Sequence, residues 1–214
     1  MITMEKQPTS LTGKLGRPLS FDRDVALRSA MLLFWKHGYE GASVADLVSV
    51  MGITPPSLYA AFGDKKRLFL EAVDLYRSGS VAGVFATDQI MDQAATAEDA
   101  ARQMLEAAAH HFTGPDTPNG CLLSSGAITC SAAGADVQAI MTGIRQQIEA
   151  RLNDMILADI AADRLHEDTD AGLLAAYVMA VIQGMATLAR DGASRAKLSQ
   201  LARTVMLSWP SADH

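Results

Sequence analysis

Residues 43–65 read SVADLVSVMGITPPSLYAAFGDK, and this stretch decides the fold. Ser43 is followed three residues later by Asp46, which is close to the capping-box spacing that begins many helices. We expect this helix to run to about Val50. Gly52 then provides the residue that a tight turn needs, because glycine adopts backbone angles that other residues avoid.

A second short helix is predicted directly after the turn. Thr54 can cap it, and Pro55 stands at the first helical position, where the missing N–H costs no hydrogen bond. The helix is expected to end near Phe62 and Gly63. Two short helices joined by a tight glycine turn indicate a helix-turn-helix, whose second helix enters the major groove of DNA.

The side chains of this unit divide into a buried set and an outward set. Those expected to bury the junction and anchor the second helix are Leu47, Val50, Ile53, Leu58 and Phe62. Those expected to face outward are Thr54, Pro55, Ser57, Ala60 and Ala61. The two alanines are short enough to allow close approach to base edges or thymine methyl groups.

The rest of the chain carries helix signals and no convincing strand. Residues 1–19 are polar and contain several prolines and glycines, which is typical of a mobile arm. Phe21 and Asp22 resemble a hydrophobic staple with its N-cap, and Gly38 is expected to end that helix. Asp64 is expected to cap a fourth helix that runs to about residue 78.

Five further helices are predicted at 96–112, 121–129, 136–162, 169–190 and 194–208. The sequence therefore indicates an all-α protein of about nine helices. We expect a flexible basic arm at 1–19, a three-helix helix-turn-helix domain at 20–65, and a larger helical domain at 66–214.

Charge is unevenly distributed along the chain, whose net charge is −6. Residues 1–67 hold nine Lys and Arg against six Asp and Glu, whereas residues 68–214 hold nine against eighteen. Because salt screens charges beyond about 10 Å, a polyanion senses the local field. The locally basic N-terminal third is therefore compatible with DNA binding, although the protein as a whole is acidic.

The sequence favours a cytoplasmic protein without a membrane partner. Met1–Thr12 lacks the basic segment followed by an apolar one that a signal peptide requires. The most apolar stretch, 172–189, is shorter than the roughly 20 residues that cross a bilayer and contains Gln183, so a buried helix is the better interpretation. The small number of cysteines, two, fits the same compartment.

Three stretches resemble the DNA-binding domain of TetR-family regulators. They are GRP at 16–18, AMLLFWKHGYEGAS at 30–43 and MGITPPSLYAAFGDK at 51–65. The match covers roughly residues 16–76. The spacing of the motifs, the positions of the glycines and a Leu-Tyr pair all agree with the family pattern. It implies a DNA-binding transcriptional regulator, and it implies that the larger domain binds a small molecule and dimerises.

The resemblance also implies roles for single residues. Those that would meet or approach base edges are Thr54, Pro55, Ser57 and Ala60. Those that would contact phosphates are Ser43, which also caps its helix, Tyr59 and Lys65. From the arm, Arg17 with Lys14 beside it would reach the DNA backbone or an adjacent minor groove. The alternative interpretations are half-buried packing for Tyr59, a solvated helix-start lysine for Lys65 and an Arg17 that is disordered without DNA.

The second half of the chain independently favours self-association. The helix predicted at 169–190 is apolar on nearly all sides, so it needs partners on two faces. Ala176, Ala180 and Gly184 recur every four residues and allow a close helix crossing. Pairing this helix and 194–208 with their symmetry mates gives a four-helix interface. A monomeric core is the alternative.

Candidates for effector contacts are mostly apolar residues with a few polar ones, as in most ligand pockets. They are Phe85, Met104, His111, Phe112, Cys121, Met141, Ile144, Tyr177 and Val181. His111 and Tyr177 are the polar groups best suited to orient a ligand. Each of the nine is also compatible with plain core packing.

Cys121 is compatible with a thiol that senses electrophiles, as in some TetR-family members. An inert buried thiol is favoured, because no Lys, Arg or His flanks it in sequence to stabilise a thiolate. A disulfide with Cys130 requires a break in the helix predicted between them. His110 and His111 point about 100° apart on a helix, so no metal or other cofactor is predicted.

An all-helical enzyme is the main rival class, and the sequence argues against it. Ser124 and Ser125 lack a G-x-S-x-G elbow, and the chain has neither a phosphate-binding glycine motif nor a CxxC pair. A ligand-independent activator or architectural DNA-binding protein stays open as an alternative. The favoured prediction is a dimeric repressor that a small-molecule effector releases from a palindromic operator.

Overall fold

The computed structural model describes residues 21–78, 86–127 and 131–211. These parts of the chain contain ten α-helices, a short 3₁₀ helix at Ala132–Gly134 and no strand. The α-helices are α1 (Arg23–Gly41), α2 (Val44–Met51), α3 (Pro55–Phe62), α4 (Lys65–Arg77), α5 (Thr87–Gln93), α6 (Ala97–His111), α7 (Leu122–Ser125), α8 (Ala135–Ala161), α9 (Ala171–Arg190) and α10 (Arg195–Met206). The all-α prediction is confirmed, and the arm at 1–19 lies outside the described residues.

The first four helices begin where the sequence predicts. The Asp22 side chain accepts hydrogen bonds from two backbone amides of the first turn of α1. Ser43 and Asp46 form a complete capping box at the start of α2. Thr54 and Asp64 each accept a hydrogen bond from the amide three residues ahead. These caps supply acceptors for amides that the first helical turn leaves without a partner.

Two helix predictions differ from the structure. The sequence prediction omits α5, because its N-cap residue Ala86 has no side-chain acceptor and therefore gives no start signal. The helix predicted at 121–129 is too long: α7 covers only Leu122–Ser125, and its last amide bond comes from Gly126. The later helices, α6 and α8–α10, agree with the predicted ends to within two residues, which is the usual uncertainty of such boundaries.

Helix α1 is broken at Gly38, near its predicted end. Gly38 has φ 73° and ψ 173°, and the chain then makes one more helical turn. In an unbroken helix the Tyr39 amide would donate to the Trp35 carbonyl. Here Tyr39 N donates to Gly126 O at 2.7 Å. Trp35 O instead accepts from Arg190 Nη2 at 3.2 Å. Both backbone groups released by the break are therefore bonded to the later helical part of the chain.

Aromatic rings pack α1 against α4. Phe34 meets Phe69 edge-on with ring centroids 5.0 Å apart, and Trp35 meets Tyr76 in the same way at 5.0 Å. All four side chains are fully buried. Such pairs add about 0.5–1.5 kcal/mol each beyond the burial of their surface. Helix α4 thereby fastens the helix-turn-helix to the rest of the protein.

Helix α9 is long and apolar enough to cross a membrane when judged by length and composition alone. The core helix of a globular protein passes the same test. In this fold α9 packs against α6, α8 and α10. Its residues Ala175, Val178, Ile182 and Met185 are buried on that side. The packing therefore favours a core helix, as the sequence predicts.

Asp159 is a buried carboxylate that holds α6 to α8. Its Oδ2 accepts from Ala97 N at 2.8 Å, and its Oδ1 lies 2.6 Å from Arg164 Nη2. We expect Asp159→Ala to lower the free energy of unfolding by about 2 kcal/mol, because a buried amide loses its acceptor. Urea unfolding measures the change. Asp154→Ala, at an exposed position of α8, is the control, and an equal loss in both variants would contradict this role.

Candidate nucleic-acid interface

The core of the helix-turn-helix is built as predicted, with one exception. The buried residues are Leu47, Met51, Leu58 and Phe62, and Ile53 is half-buried. Val50 was expected in this junction, but its side chain is 45 % exposed. That prediction is wrong because α2 turns Leu47 and Met51, four residues apart, toward the core, and Val50 lies about 100° away from Met51 around the helix.

The turn between α2 and α3 depends on Gly52. This residue has φ 65° and ψ 32°, and its amide bonds back to the carbonyls of Val48 and Ser49. The left-handed conformation ends α2 after two turns and directs the chain into the cap of α3. The predicted glycine turn is confirmed.

The outer surface of α3 carries short side chains and one tyrosine. Thr54, Pro55 and Ala60 are exposed, and the Tyr59 side chain is 51 % exposed. Ser57 is half-buried, and its hydroxyl lies 2.9 Å from that of Thr54. Because the side chains other than Tyr59 are short, backbone and methyl groups can approach base edges closely.

Ala61 differs from Ala60, its neighbour on α3. It is half-buried, and its carbonyl accepts from Arg23 Nη2 at 3.3 Å. The same guanidinium lies 4.3 Å from the centre of the Phe62 ring and forms a salt bridge with Glu71 at 2.6 Å. Arg23 therefore joins α1, α3 and α4 and fixes the direction of α3. Sequence analysis missed this positioning role, because no local pattern reveals contacts between residues 38 and 48 positions apart.

Ser43 lies at the exposed start of α2, but its hydroxyl already has partners. It donates to Asp46 Oδ2 at 2.6 Å and accepts from Asp46 N at 3.1 Å. The hydroxyl and the backbone amide of Ser43 both donate to Asp46 Oδ2, and these two bonds hold the pKa of the Asp46 carboxyl below its usual value. The capping role of Ser43 is confirmed, while its phosphate contact stays a prediction.

Lys65 is the first residue of α4 and follows the end of α3 by three positions. Its Nζ lies 4.5 Å from the centre of the Tyr39 ring, a cation–π contact that limits the directions the side chain can take. The next residue, Lys66, forms an ion pair with Asp136 of α8. The hydrogen bond to Asp136 raises the pKa of Lys66. The phosphate contact of Lys65 stays a prediction, and Arg17 and Lys14 lie outside the described residues.

The predicted effector residues fall into two groups. Buried ones lie in α6, α8 and the segment around α7: Met104, Phe112, Cys121, Met141 and Ile144. His111 is half-buried at the end of α6. On α9, Tyr177 is exposed and Val181 is half-buried and packs against the core, so these two side chains are less buried than the other five. Phe85 lies outside the described residues.

Cys121 belongs to the buried group, and its sulfur lies beside the hydroxyl of Tyr76. The Tyr76 hydroxyl donates to its sulfur at 3.3 Å. Burial is the main reason that the pKa of Tyr76 is raised well above its usual value, so the phenol stays protonated. A thiol in this position is shielded from solvent, which agrees with the favoured interpretation of an inert side chain. Helix α7 ends at Ser125, so the predicted helix between the two cysteines is not continuous, and Cys130 lies outside the described residues.

Comparison with known proteins connects this geometry to a family. The family model for bacterial regulatory proteins of the tetR family matches residues 26–72, and a tetracyclin repressor-like C-terminal domain matches residues 97–205. The HTH-type transcriptional repressor ComR of Escherichia coli (strain K12) is 37 % identical over 195 residues, which cover 91 % of this chain and 92 % of ComR. The chain belongs to the TetR family.

Solved structures of TetR-family regulators share the fold. A cysteine-substituted form of CifR in complex with a 26-bp double-strand operator DNA is 34 % identical, with a TM-score of 0.84 over 91 % of this chain and 100 % of CifR. A TetR regulator from Rhodococcus sp. RHA1 is also 34 % identical, with a TM-score of 0.59 over 89 % of this chain and 100 % of its own. These relatives are transcriptional regulators and not enzymes, which confirms that part of the sequence prediction.

Proposed function

We propose that this TetR-family regulator is a homodimeric repressor that leaves a palindromic operator when a small molecule binds. The observation that carries the proposal is the exposed outer surface of α3, which is capped by Thr54 and carries short side chains apart from Tyr59. Among its relatives, ComR is a repressor and the CifR structure contains operator DNA. The contact residues inferred for this chain are Arg17, Ser43, Thr54, Pro55, Ser57, Tyr59, Ala60 and Lys65.

We propose a separate role for each of the three parts predicted from the sequence. Residues 1–19 form a basic arm, 20–65 read DNA, and 66–214 bind the effector and dimerise. Two copies of α3 enter successive major grooves about one helical turn apart, which requires a two-fold symmetric dimer. Because the proposed target is DNA, we also propose a cytoplasmic location.

The outer face of α9 supports the proposed dimer. Ala180 and Gly184 are exposed there, and a Cβ added at Gly184 would meet no described heavy atom within 4 Å. Leu173 of α9 and Leu207 beyond α10 are 68 % and 87 % exposed. Exposed apolar side chains around a face of small residues fit a close helix crossing with a second copy.

Release of DNA is proposed as a shift between two populations. The effector must bind the state that does not fit the operator more tightly than the state that does. The proposed effector contacts in the larger domain, 66–214, are buried residues together with the half-buried His111. The buried ones are Met104, Phe112, Cys121, Met141 and Ile144. Tyr177 and Val181 are kept as candidates on α9, on the face that the proposed dimer would cover.

A gel-shift series tests this function. The purified chain is titrated against DNA from upstream of its own gene and against a shuffled sequence of equal length, and a panel of small molecules is then added. We expect selective retention of the upstream DNA and its release by at least one compound. Equal binding of both DNAs would indicate an architectural protein. Selective binding that no compound reverses would favour a ligand-independent activator.

Tyr59 provides a test of how α3 is positioned. We expect Tyr59→Phe to weaken binding to every DNA sequence by a similar factor, about three- to tenfold, because a phosphate hydrogen bond carries no sequence information. Fluorescence anisotropy with the operator and two single-base variants measures this. A loss confined to one DNA would show that the hydroxyl reads a base instead.

Lys65 provides a test of the electrostatic contribution. Lys65→Ala should reduce the slope of log affinity against log salt by about 0.9, since one phosphate contact is lost. Lys197→Ala, at an exposed position of α10, is the matched control and should leave the slope unchanged. An unaltered slope in Lys65→Ala would remove this lysine from the interface, provided urea unfolding shows that the variant is folded.

A further inference from the structure

A cleft separates the helix-turn-helix from the later helices. Ser29, Leu32, Leu33 and Lys36 line it on one face of α1, together with Val50 of α2. The opposite wall is the loop at 115–119 and Arg190, the last residue of α9. The cleft is largely open to solvent, and its volume is about 980 Å³. The cleft is distinct from the effector residues inferred above, since they do not line it.

The walls of the cleft combine apolar surface with positive charge. Leu32, Leu33 and Val50 provide aliphatic surface. Lys36 and Arg190 are exposed, and among the described residues neither has a carboxylate within 4 Å. The exposure of Val50 also has an explanation here, because it faces this space and not the helix-turn-helix core.

Asp116 is the acidic side chain in this lining, and it lies on the loop opposite α1. Two cations against one carboxylate leave the cleft with a net positive charge. An apolar wall with a cationic edge suits a ligand that has a hydrophobic body and an anionic group. We expect the negative charge of Asp116 to repel the anionic group of such a ligand and so to weaken its binding.

Arg190 connects the cleft to the broken helix α1. Its Nη2 donates to Trp35 O, one of the two backbone groups released at Gly38. The side chain also lies against Gly120, where an added Cβ would be 2.9 Å from Arg190 Cγ. The Trp35 carbonyl accepts from only one of the five guanidinium N–H donors, so an anion can bind the others and, by drawing the guanidinium toward itself, weaken the bond to Trp35 O.

We propose that this cleft is a regulatory site for an amphipathic organic anion, held by Lys36 and Arg190 and seated on Leu32, Leu33 and Val50. Binding there weakens the bond between Arg190 and Trp35 O, so α1 and the helices it carries are held less firmly to the later part of the chain. The predicted consequence is a lower affinity for the operator. This consequence, but not the binding itself, rests on the proposed function.

Calorimetric titration of the full chain with 1-naphthoate and with the neutral 1-naphthamide tests the site. We expect saturable binding of naphthoate at least tenfold tighter than that of the amide. Lys36→Gln should weaken naphthoate binding about tenfold, and Asp116→Asn should strengthen it two- to threefold. Arg203→Gln, in a separate shallow cleft between α6 and α10, is the matched control and should have no effect.

Each outcome decides a separate point. Absence of saturable naphthoate binding, or equal losses in Lys36→Gln and Arg203→Gln, overturns the site. Operator binding is then measured with and without naphthoate: the wild type should lose affinity, and Lys36→Gln should need about tenfold more naphthoate for the same loss. Naphthoate binding without any change in operator affinity overturns the regulatory role. A chain that binds no operator would refute the proposed function and leave the calorimetric result intact.

Discussion

Replacing Gly38 with alanine is expected to lower the free energy of unfolding by about 3 kcal/mol. With φ 73° and ψ 173°, the residue occupies a region of backbone space that is essentially restricted to glycine. An added Cβ would also lie 3.3 Å from Gly126 O, the acceptor of the Tyr39 amide. The substitution therefore strains the backbone and disturbs the hydrogen bond between α1 and the end of α7.

Urea unfolding of Gly38→Ala and a matched glycine variant measures this effect. Gly143 lies within α8, and a Cβ there would meet no described heavy atom within 4 Å. Gly143→Ala should raise the free energy of unfolding by about 0.5–1 kcal/mol, because alanine is the better helix former. The two variants should therefore move in opposite directions. Surface substitutions usually change the free energy of unfolding by less than about 0.5 kcal/mol. If Gly38→Ala also stays within about 0.5 kcal/mol of the wild type, the break in α1 does not require glycine.

The local parts of the fold could be predicted from the sequence. The caps at Asp22, Ser43, Thr54 and Asp64 and the turn at Gly52 each depend on neighbours within four residues. Such signals survive without tertiary information, because the hydrogen bonds that they predict are made within one turn. The helix-turn-helix could be recognised for this reason.

The missed features depend on contacts between distant residues. Gly38 predicted the position where α1 breaks but not Gly126 and Arg190, the partners of the two released backbone groups. Val50 fits the apolar pattern of α2, and only the loop at 115–119 shows which space it faces. Periodicity identifies an apolar side chain without identifying the surface that it meets. The same limitation applies to the effector candidates, because a pocket residue and a core residue have the same composition.

The dimer proposed above requires small side chains on the outer face of α9, where two copies of the helix cross closely. Ala180 is exposed on the same face as Gly184, and small residues four apart lie next to each other on a helix. In a two-fold symmetric dimer, a long cationic side chain introduced at position 180 would meet its own symmetry copy or the backbone of the partner's helix. Since the side chain is exposed in the single chain, a substitution there should leave the fold of each protomer intact.

We therefore expect Ala180→Arg to be folded but monomeric, and to bind the operator at least 100-fold more weakly, because one half-site alone loses the gain from linking two. Analytical ultracentrifugation gives the oligomeric state, circular dichroism the helix content, and anisotropy the operator affinity. Ala150→Arg, at an exposed position of α8, controls for the added charge and should remain dimeric. A dimeric Ala180→Arg with wild-type affinity would place the interface elsewhere. A monomer that retains full affinity would show that one copy is sufficient to read the operator.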